Sequence, residues 1–201
     1  LRAACLDAGV SPADLLAEIS DASACEAAPA TDWSTAPVSE LAAHVVERHH
    51  AYLERELPQI EARLNKVVAN HSATRPWLAE LRTVFFELCD ELRAHLRKEE
   101  EVLFPYLKAL EAGEPASLCF ASVAVPVRVM LSEHSRAGAM LAQMRRLSDG
   151  YAAPEDGCPG FRALMHDLAA LERDLHQHIH LENNILFPRA IELDTQARTR
   201  D

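Results

Sequence analysis

The sequence predicts an all-α protein, an up-down-up-down four-helix bundle preceded by a short helical N-terminal segment. Three observations carry that reading. Only 5% of the 201 residues are aromatic, and Ala- and Leu-rich stretches run long without Gly. Four such stretches, residues 37–70, 75–112, 123–149 and 160–193, each carry an apolar seven-residue period. Turn formers separate them: Asn70–Thr74 ahead of Pro76, Gly113-Glu114-Pro115, and a loop from Asp149-Gly150 through Pro154, Gly157 and Pro159 to Gly160.

Ahead of the bundle, Ser11-Pro12 marks a helix start, with Ser as cap and Pro in the first turn. Asp21–Pro37 reads as a linker. The expected organisation is therefore residues 1–32 as the remnant of a small helical N-terminal domain with its linker, 33–193 as the bundle, and 194–201 as a polar tail. The chain starts with Leu rather than Met, so upstream sequence is expected to be missing.

Composition narrows the function. A formal charge of −11 disfavours nucleic acids and anionic lipid surfaces, which select basic patches. No uncharged apolar run reaches the ~18 residues of a membrane helix, and no signal region opens the chain. The five Cys form no CxxC, which fits reduced thiols in a cytoplasmic protein.

The heptads supply a register. The first stretch gives Ala43, His50, Leu57, Leu64 with Val46, Leu53, Ile60, Val67. The second gives Leu81, Leu88, His95, Val102 with Phe85, Leu92, Glu99, Tyr106. In the third, Val127, His134, Leu141 run beside Met130, Ala137, Met144; in the fourth, Leu164, Leu171, His178, Ile185 run beside Leu168, Leu175, Glu182, Arg189. Four His and two Glu therefore occupy interior positions that otherwise, Arg189 apart, hold apolar side chains.

The chain also repeats itself. His95-Leu-Arg-Lys-Glu99-Glu-Glu-Val-Leu-Phe-Pro105 matches His178-Ile-His-Leu-Glu182-Asn-Asn-Ile-Leu-Phe-Pro188, and His50 pairs with His134 at nearly the same offset. Each helical hairpin thus brings one His on its first helix and an HxxxE pair on its second. Residues at i and i+4 lie about 40° apart around a helix, so each pair can reach one ion. A carboxylate at a core position is costly unless a cation compensates it. Six donors suit two metals, with Glu99 and Glu182 bridging and each ion taking two of His50, His95, His134 and His178. Mixed imidazole and carboxylate donors favour iron, with manganese second, over zinc in a closed tetrahedral site.

The remaining polar residues read more plainly. His44, His49, His166, His176 and His180 fall off the seam and are expected at the surface, and His71 at a helix end. Glu100, Glu133 and Asp174 are weaker candidates for orienting imidazoles from outside. Cys89 and Cys119 read as packing thiols, Trp33 and Trp77 as packing anchors, and Pro105 and Pro188 as kinks beyond the site.

These motifs, with Glu47-Arg48-His49-His50, Glu56-Leu57-Pro58, Ser132-Glu133-His134 and Asp174 to Arg189, resemble the hemerythrin-like superfamily, most closely the di-iron Repair-of-Iron-Centres family of bacterial stress proteins. The resemblance implies a non-haem centre of two iron ions, oxo- or hydroxo-bridged, held by His50, His95, His134, His178, Glu99 and Glu182. It also implies stress defence through iron–sulfur cluster repair, nitric oxide reduction at the diferrous centre, or both. Damaged iron–sulfur proteins would then be partners, and NO or O2 small ligands. Reversible O2 or NO binding without turnover is the alternative. Residues 1–32, with Cys5, resemble the end of that family's N-terminal domain. The Cys-Cys pair that precedes it in the family does not occur in these 201 residues, so it is expected either to have been lost with upstream sequence or to be dispensable here, and Cys158 stands where family members often carry a Cys.

Overall fold

The structure is a computed structural model that describes residue 11 and residues 31–114 and 122–199. The chain divides into two compact units, Leu1–Asp32 and Trp33–Asp201, and the second holds the bundle. The expected helix after Ser11 and the thiols Cys5, Cys25 and Cys119 lie outside the described residues.

Four long helices build the bundle. Helix α1 runs from Val38 to His71, α2 from Trp77 to Glu111, α3 from Ala124 to Leu147 and α4 from Pro159 to Arg198. Pro159 opens α4 in the first turn, where its missing N–H costs nothing. The start of α1 is held from across the bundle. The Glu111 carboxylate at the end of α2 accepts from the Val38 and Ser39 backbone N–H groups (2.7 and 3.0 Å) and from the Ser39 hydroxyl (2.5 Å). Those donors outweigh the effect of burial and hold Glu111 below its ordinary pKa.

Three of the four helices contain one turn of π-helix: Val46–His50 in α1, Glu99–Leu103 in α2 and Glu182–Leu186 in α4. In each, a backbone N–H reaches five residues back, from Ala51 to Val46, Phe104 to Glu99 and Phe187 to Glu182. The latter two precede Pro105 and Pro188. A proline clashes with the carbonyl four residues earlier, and a widened turn relieves the clash. The expected kinks are therefore absorbed as π turns.

Each π turn inserts one residue and moves the heptad by one position. Helix α3 has none, and its expected seam (Val127, Met130, His134, Ala137, Leu141, Met144) is buried throughout. In α2 the buried residue past the turn is Leu103 (1% exposed) rather than Val102 (42%). In α4 it is Leu186 rather than Ile185, and Ala190 rather than Arg189. Ahead of the turn in α1, Ala42 and Val45 replace Ala43 and Val46.

The end of the bundle also differs from expectation. Helix α4 continues to Arg198, so the polar tail expected from 194 begins inside a helix. Asp194 is buried and accepts from the Tyr106 hydroxyl (2.6 Å), the Ser122 hydroxyl (2.8 Å), the Val123 N–H (3.2 Å) and Arg198 Nε (3.0 Å). It ties α2, the start of α3 and α4 together.

Two apolar clusters fill the interior. One holds Leu53 to Leu96 on α1 and α2 with Ala137 to Leu175 on α3 and α4. The other holds Val38 to Val45, Leu103 to Leu107, Val123 to Met130 and Leu186 to Ala190. Between them lies a polar layer, and the six expected donors are in it. Among the described residues, no helix is long and apolar enough to cross a membrane.

Candidate metal centre

All four helices supply this layer at one level. Two of the π turns begin at Glu99 and Glu182, and the third ends at His50. His50, His95, His134, His178, Glu99 and Glu182 are all buried, the two carboxylates at 0% exposure. Helix α2 aims both His95 and Glu99 inward, and α4 aims His178 and Glu182, as the i,i+4 spacing requires.

The donor atoms converge in a regular way. Glu99 places one oxygen 3.4 Å from His50 Nε2 and the other 3.4 Å from His95 Nε2. Glu182 likewise faces His134 Nε2 at 3.1 Å and His178 Nε2 at 3.2 Å. Two groups of four donors result, each within 4.8 Å: His50, His178, Glu99 and Glu182, and His95, His134, Glu99 and Glu182. Ligands about 2.1 Å from one ion at 90–110° stand roughly 3.0–3.4 Å apart, so these separations suit shared cations.

Hydrogen bonding gives a second test of fit. His50 Nε2, both oxygens of Glu99 and Glu182, and both ring nitrogens of His178 are buried without a hydrogen-bond partner. Native interiors rarely leave such atoms orphaned. A cation in each donor group would satisfy every one of them except His178 Nδ1.

Electrostatics agree. Burial and the facing Glu182 push Glu99 well above its ordinary pKa. Burial pushes Glu182 the same way, but His178 and His134 prevail and hold it below the carboxylate range. Burial pulls His50 down and takes His95 to about 4, whereas the Glu182 carboxylate overcomes burial and raises His134. Neutral imidazoles and ionised carboxylates are the forms that bind metals, so a cation would resolve the conflict between the two acids.

Outside the donors stand partners that orient them. His50 Nδ1 meets Glu100 at 2.7 Å, His95 Nδ1 meets Glu133 at 2.9 Å, and Lys98 in turn holds Glu133. Both carboxylates were candidates from sequence. His134 Nδ1 meets Asn183 Oδ1 at 2.7 Å, which the sequence reading missed although Asn183 occupies the repeat position of Glu100. Asp174 does not reach a donor imidazole; it bonds His49 Nδ1 at 3.1 Å.

His49 corrects the surface expectation. It is 2% exposed, and its ring stacks on His178 at 5.6 Å with 7° between the planes. The π turn that ends at His50 rotates His49 toward α4. His44 is half-buried against Trp33, whereas His166, His176 and His180 are exposed as expected. His71 closes α1, with its Nε2 3.4 Å from Cys158 Sγ. Cys89 is fully buried, and burial pushes its thiol pKa up, consistent with packing.

Comparison with known proteins agrees with this geometry. The profile of the hemerythrin HHE cation-binding domain matches residues 41–190, which contain all six donors. The chain belongs to that family. Two relatives are named iron–sulfur cluster repair protein YtfE. The one from Escherichia coli O157:H7 is 33% identical over 161 residues, and the one from Cronobacter sakazakii is 35% identical over 161 residues. In both cases the match covers 80% of this chain and 69% of the relative. The buried His/Glu cluster of this chain thus lies inside a hemerythrin HHE cation-binding domain.

Proposed function

We propose that this protein is a non-haem di-iron protein of nitrosative and oxidative stress defence, acting in the repair of iron–sulfur clusters. One observation carries the reading: two four-donor groups share Glu99 and Glu182 at the centre of an HHE bundle. The repair function borne in the names of its relatives then supplies the task.

In this reading His50 and His178 hold one ion, His95 and His134 the other, and Glu99 and Glu182 span both. All-imidazole and carboxylate ligation suits iron, and the absence of thiolate from the donor groups disfavours softer choices. When bound, two iron ions supply a redox-active pair and a store of ferrous iron. The chain's own contribution is to orient the rings of His50, His95 and His134 through Glu100, Glu133 and Asn183, to bring two carboxylates among the four imidazoles, and to surround the layer with apolar residues above and below. Damaged iron–sulfur proteins are the proposed partners and the cytoplasm the proposed compartment.

A second reading, binding or reduction of nitric oxide or dioxygen, is favoured by one specific feature. A cavity of about 10 Å³, room for a single water-sized guest, reaches His95, His134 and His178 between Leu92, Ala137, Leu175 and Ile179. Glu91 and Glu133 also line it, but its exposed wall is mostly apolar, which suits a small uncharged molecule.

The decisive measurement combines elemental analysis with an iron-transfer assay. Two irons per chain, and restoration of a cluster-free iron–sulfur protein given sulfide and reductant, are expected. Stoichiometric iron with no transfer, together with NO consumption by the reduced protein, would favour the second reading. A chain that binds no iron ends both.

A further inference from the structure

The outer torsion of a histidine side chain has broad, roughly two-fold wells, so the ring's orientation is set from outside. At a metal site the usual holder is a hydrogen bond to the ring nitrogen that faces away from the ion. Glu100 serves His50 in this way, Glu133 serves His95 and Asn183 serves His134. His178 departs from the pattern: its Nδ1 is buried and meets no hydrogen-bond partner.

The internal repeat shows what stands there instead. His178 is the equivalent of His95, and His95 is held by Glu133, the residue just before His134. The residue just before His50 is His49. Its ring lies nearly parallel to that of His178, with 5.6 Å between centroids and 7° between planes. Offset-stacked pairs take this separation. A flat neighbour accepts no hydrogen bond from Nδ1, yet it blocks rotation, because turning His178 out of plane drives a ring edge into the His49 face.

His49 is itself held from two directions. Its Nδ1 meets Asp174 Oδ1 at 3.1 Å, and Asp174 lies one turn ahead of His178 on α4. Helix α4 thus fixes the His49 ring with one side chain and stacks another against it. From the far side His44 meets His49 edge-on at 6.1 Å and 85°, and His44 rests on Trp33 at 4.5 Å. The π turn that ends at His50 brings His49 inward. Both His49 and Asp174 are buried. An apolar pair would fill that space at lower desolvation cost, so packing alone does not account for a buried imidazole and carboxylate.

Resting on the di-metal reading above, we infer that His49 is a positioning residue for the ligand His178, acting through the flat face of its ring, and that Asp174 sets the angle of that face. What position 49 requires is planarity rather than charge or a particular nitrogen. The two donor groups are therefore held by different means. Hydrogen bonds set both rings of the His95 and His134 group, whereas one hydrogen bond and one stack set those of the His50 and His178 group.

Cobalt(II), as a spectroscopic stand-in for ferrous iron, tests this without any activity assay. The full chain is titrated anaerobically with cobalt(II) against a competing chelator, and the ligand-field absorption is recorded at each step. His49→Phe keeps a flat ring and His49→Leu does not. Both leave Asp174 without its partner, so the difference between them isolates the ring face. His49→Leu should weaken one of two equivalents about 10–100-fold and shift its bands, the range expected when an orienting partner is lost. His49→Phe should keep the parent's bands and stay within about threefold of its affinity. Asp174→Leu, which leaves the ring in place but unclamped, should weaken the same equivalent by less than His49→Leu, and it gives a reading even where His49→Leu does not fold. Glu133→Gln, acting on His95, should weaken the other equivalent. Equal bands and affinities for the Phe and Leu variants, no effect of Asp174→Leu, or His49→Leu and Glu133→Gln acting on one and the same equivalent overturns the inference while the parent still binds two ions. A parent that never binds two ions overturns the di-metal reading itself.

Discussion

Removing metal from this bundle should destabilise it by an amount the structure sets. Seven buried atoms on His50, Glu99, His178 and Glu182 have no hydrogen-bond partner. A buried polar group left unsatisfied costs about 1–3 kcal/mol, so the four side chains together cost roughly 4–12 kcal/mol when no cation meets them. Binding gives a similar figure from the other direction: a ligand at a thousand times its Kd contributes about 4 kcal/mol per site. For a domain of this size each kcal/mol moves Tm by about 2–4 °C. Metal-free protein should therefore melt at least roughly 8 °C below protein carrying two irons, by calorimetry in matched anaerobic buffers. The paired substitution Glu99→Leu/Glu182→Leu should abolish the response to iron while melting above the metal-free parent, because it removes two buried acids. Equal melting temperatures with and without iron would refute the claim that cations satisfy this layer.

Other expectations are narrower. Leu103→Ala should cost about 2–5 kcal/mol in chemical denaturation and Val102→Ala under about 0.5, and the reverse order would remove the π turn from α2. Asp194→Ala removes the shared acceptor of the Tyr106 and Ser122 hydroxyls, the Val123 N–H and Arg198, so a loss of about 2–5 kcal/mol at unchanged m-value is expected; a loss below about 1 would contradict the hub. Glu111→Ala should cost about 1 kcal/mol near neutral pH by uncapping α1. Because the Glu111 pKa is depressed in the folded state, its contribution is complete above the unfolded value of 4.5 and disappears as pH falls through the folded one. The variant and the parent should therefore converge in stability in acid, and a gap that persists there would count against the cap.

The four helices and their breaks were legible because apolar spacing, Pro and Gly mark them directly. The register was legible only where backbone geometry stayed α. Helix α3 obeys the seven-residue period from Val127 to Met144, whereas α1, α2 and α4 each slip by one residue at the π turn. In α2 and α4 that slip had a visible cause, since the repeated LFP places Pro105 and Pro188 one residue into the next α segment. In α1 nothing local to Val46–His50 announces it. The same slip hid His49, which a uniform heptad sends to the surface and the π turn sends against His178.

The convergence of the six expected donors was legible for a different reason: in α2 and α4 they come before the register slips, α3 has no slip, and a duplicated hairpin pattern places them at equivalent positions. Duplication then explains why their surroundings were harder to read. A repeat predicts equal partners at equivalent positions, yet Glu100 has become Asn183 and Glu133 corresponds to His49. The pseudo-two-fold therefore holds for the six side chains that face one another and fails for the partners behind them. That asymmetry depends on partners brought from separate helices, Glu133 from α3 for His95 on α2 and His49 from α1 for His178 on α4, so only the folded chain displays it.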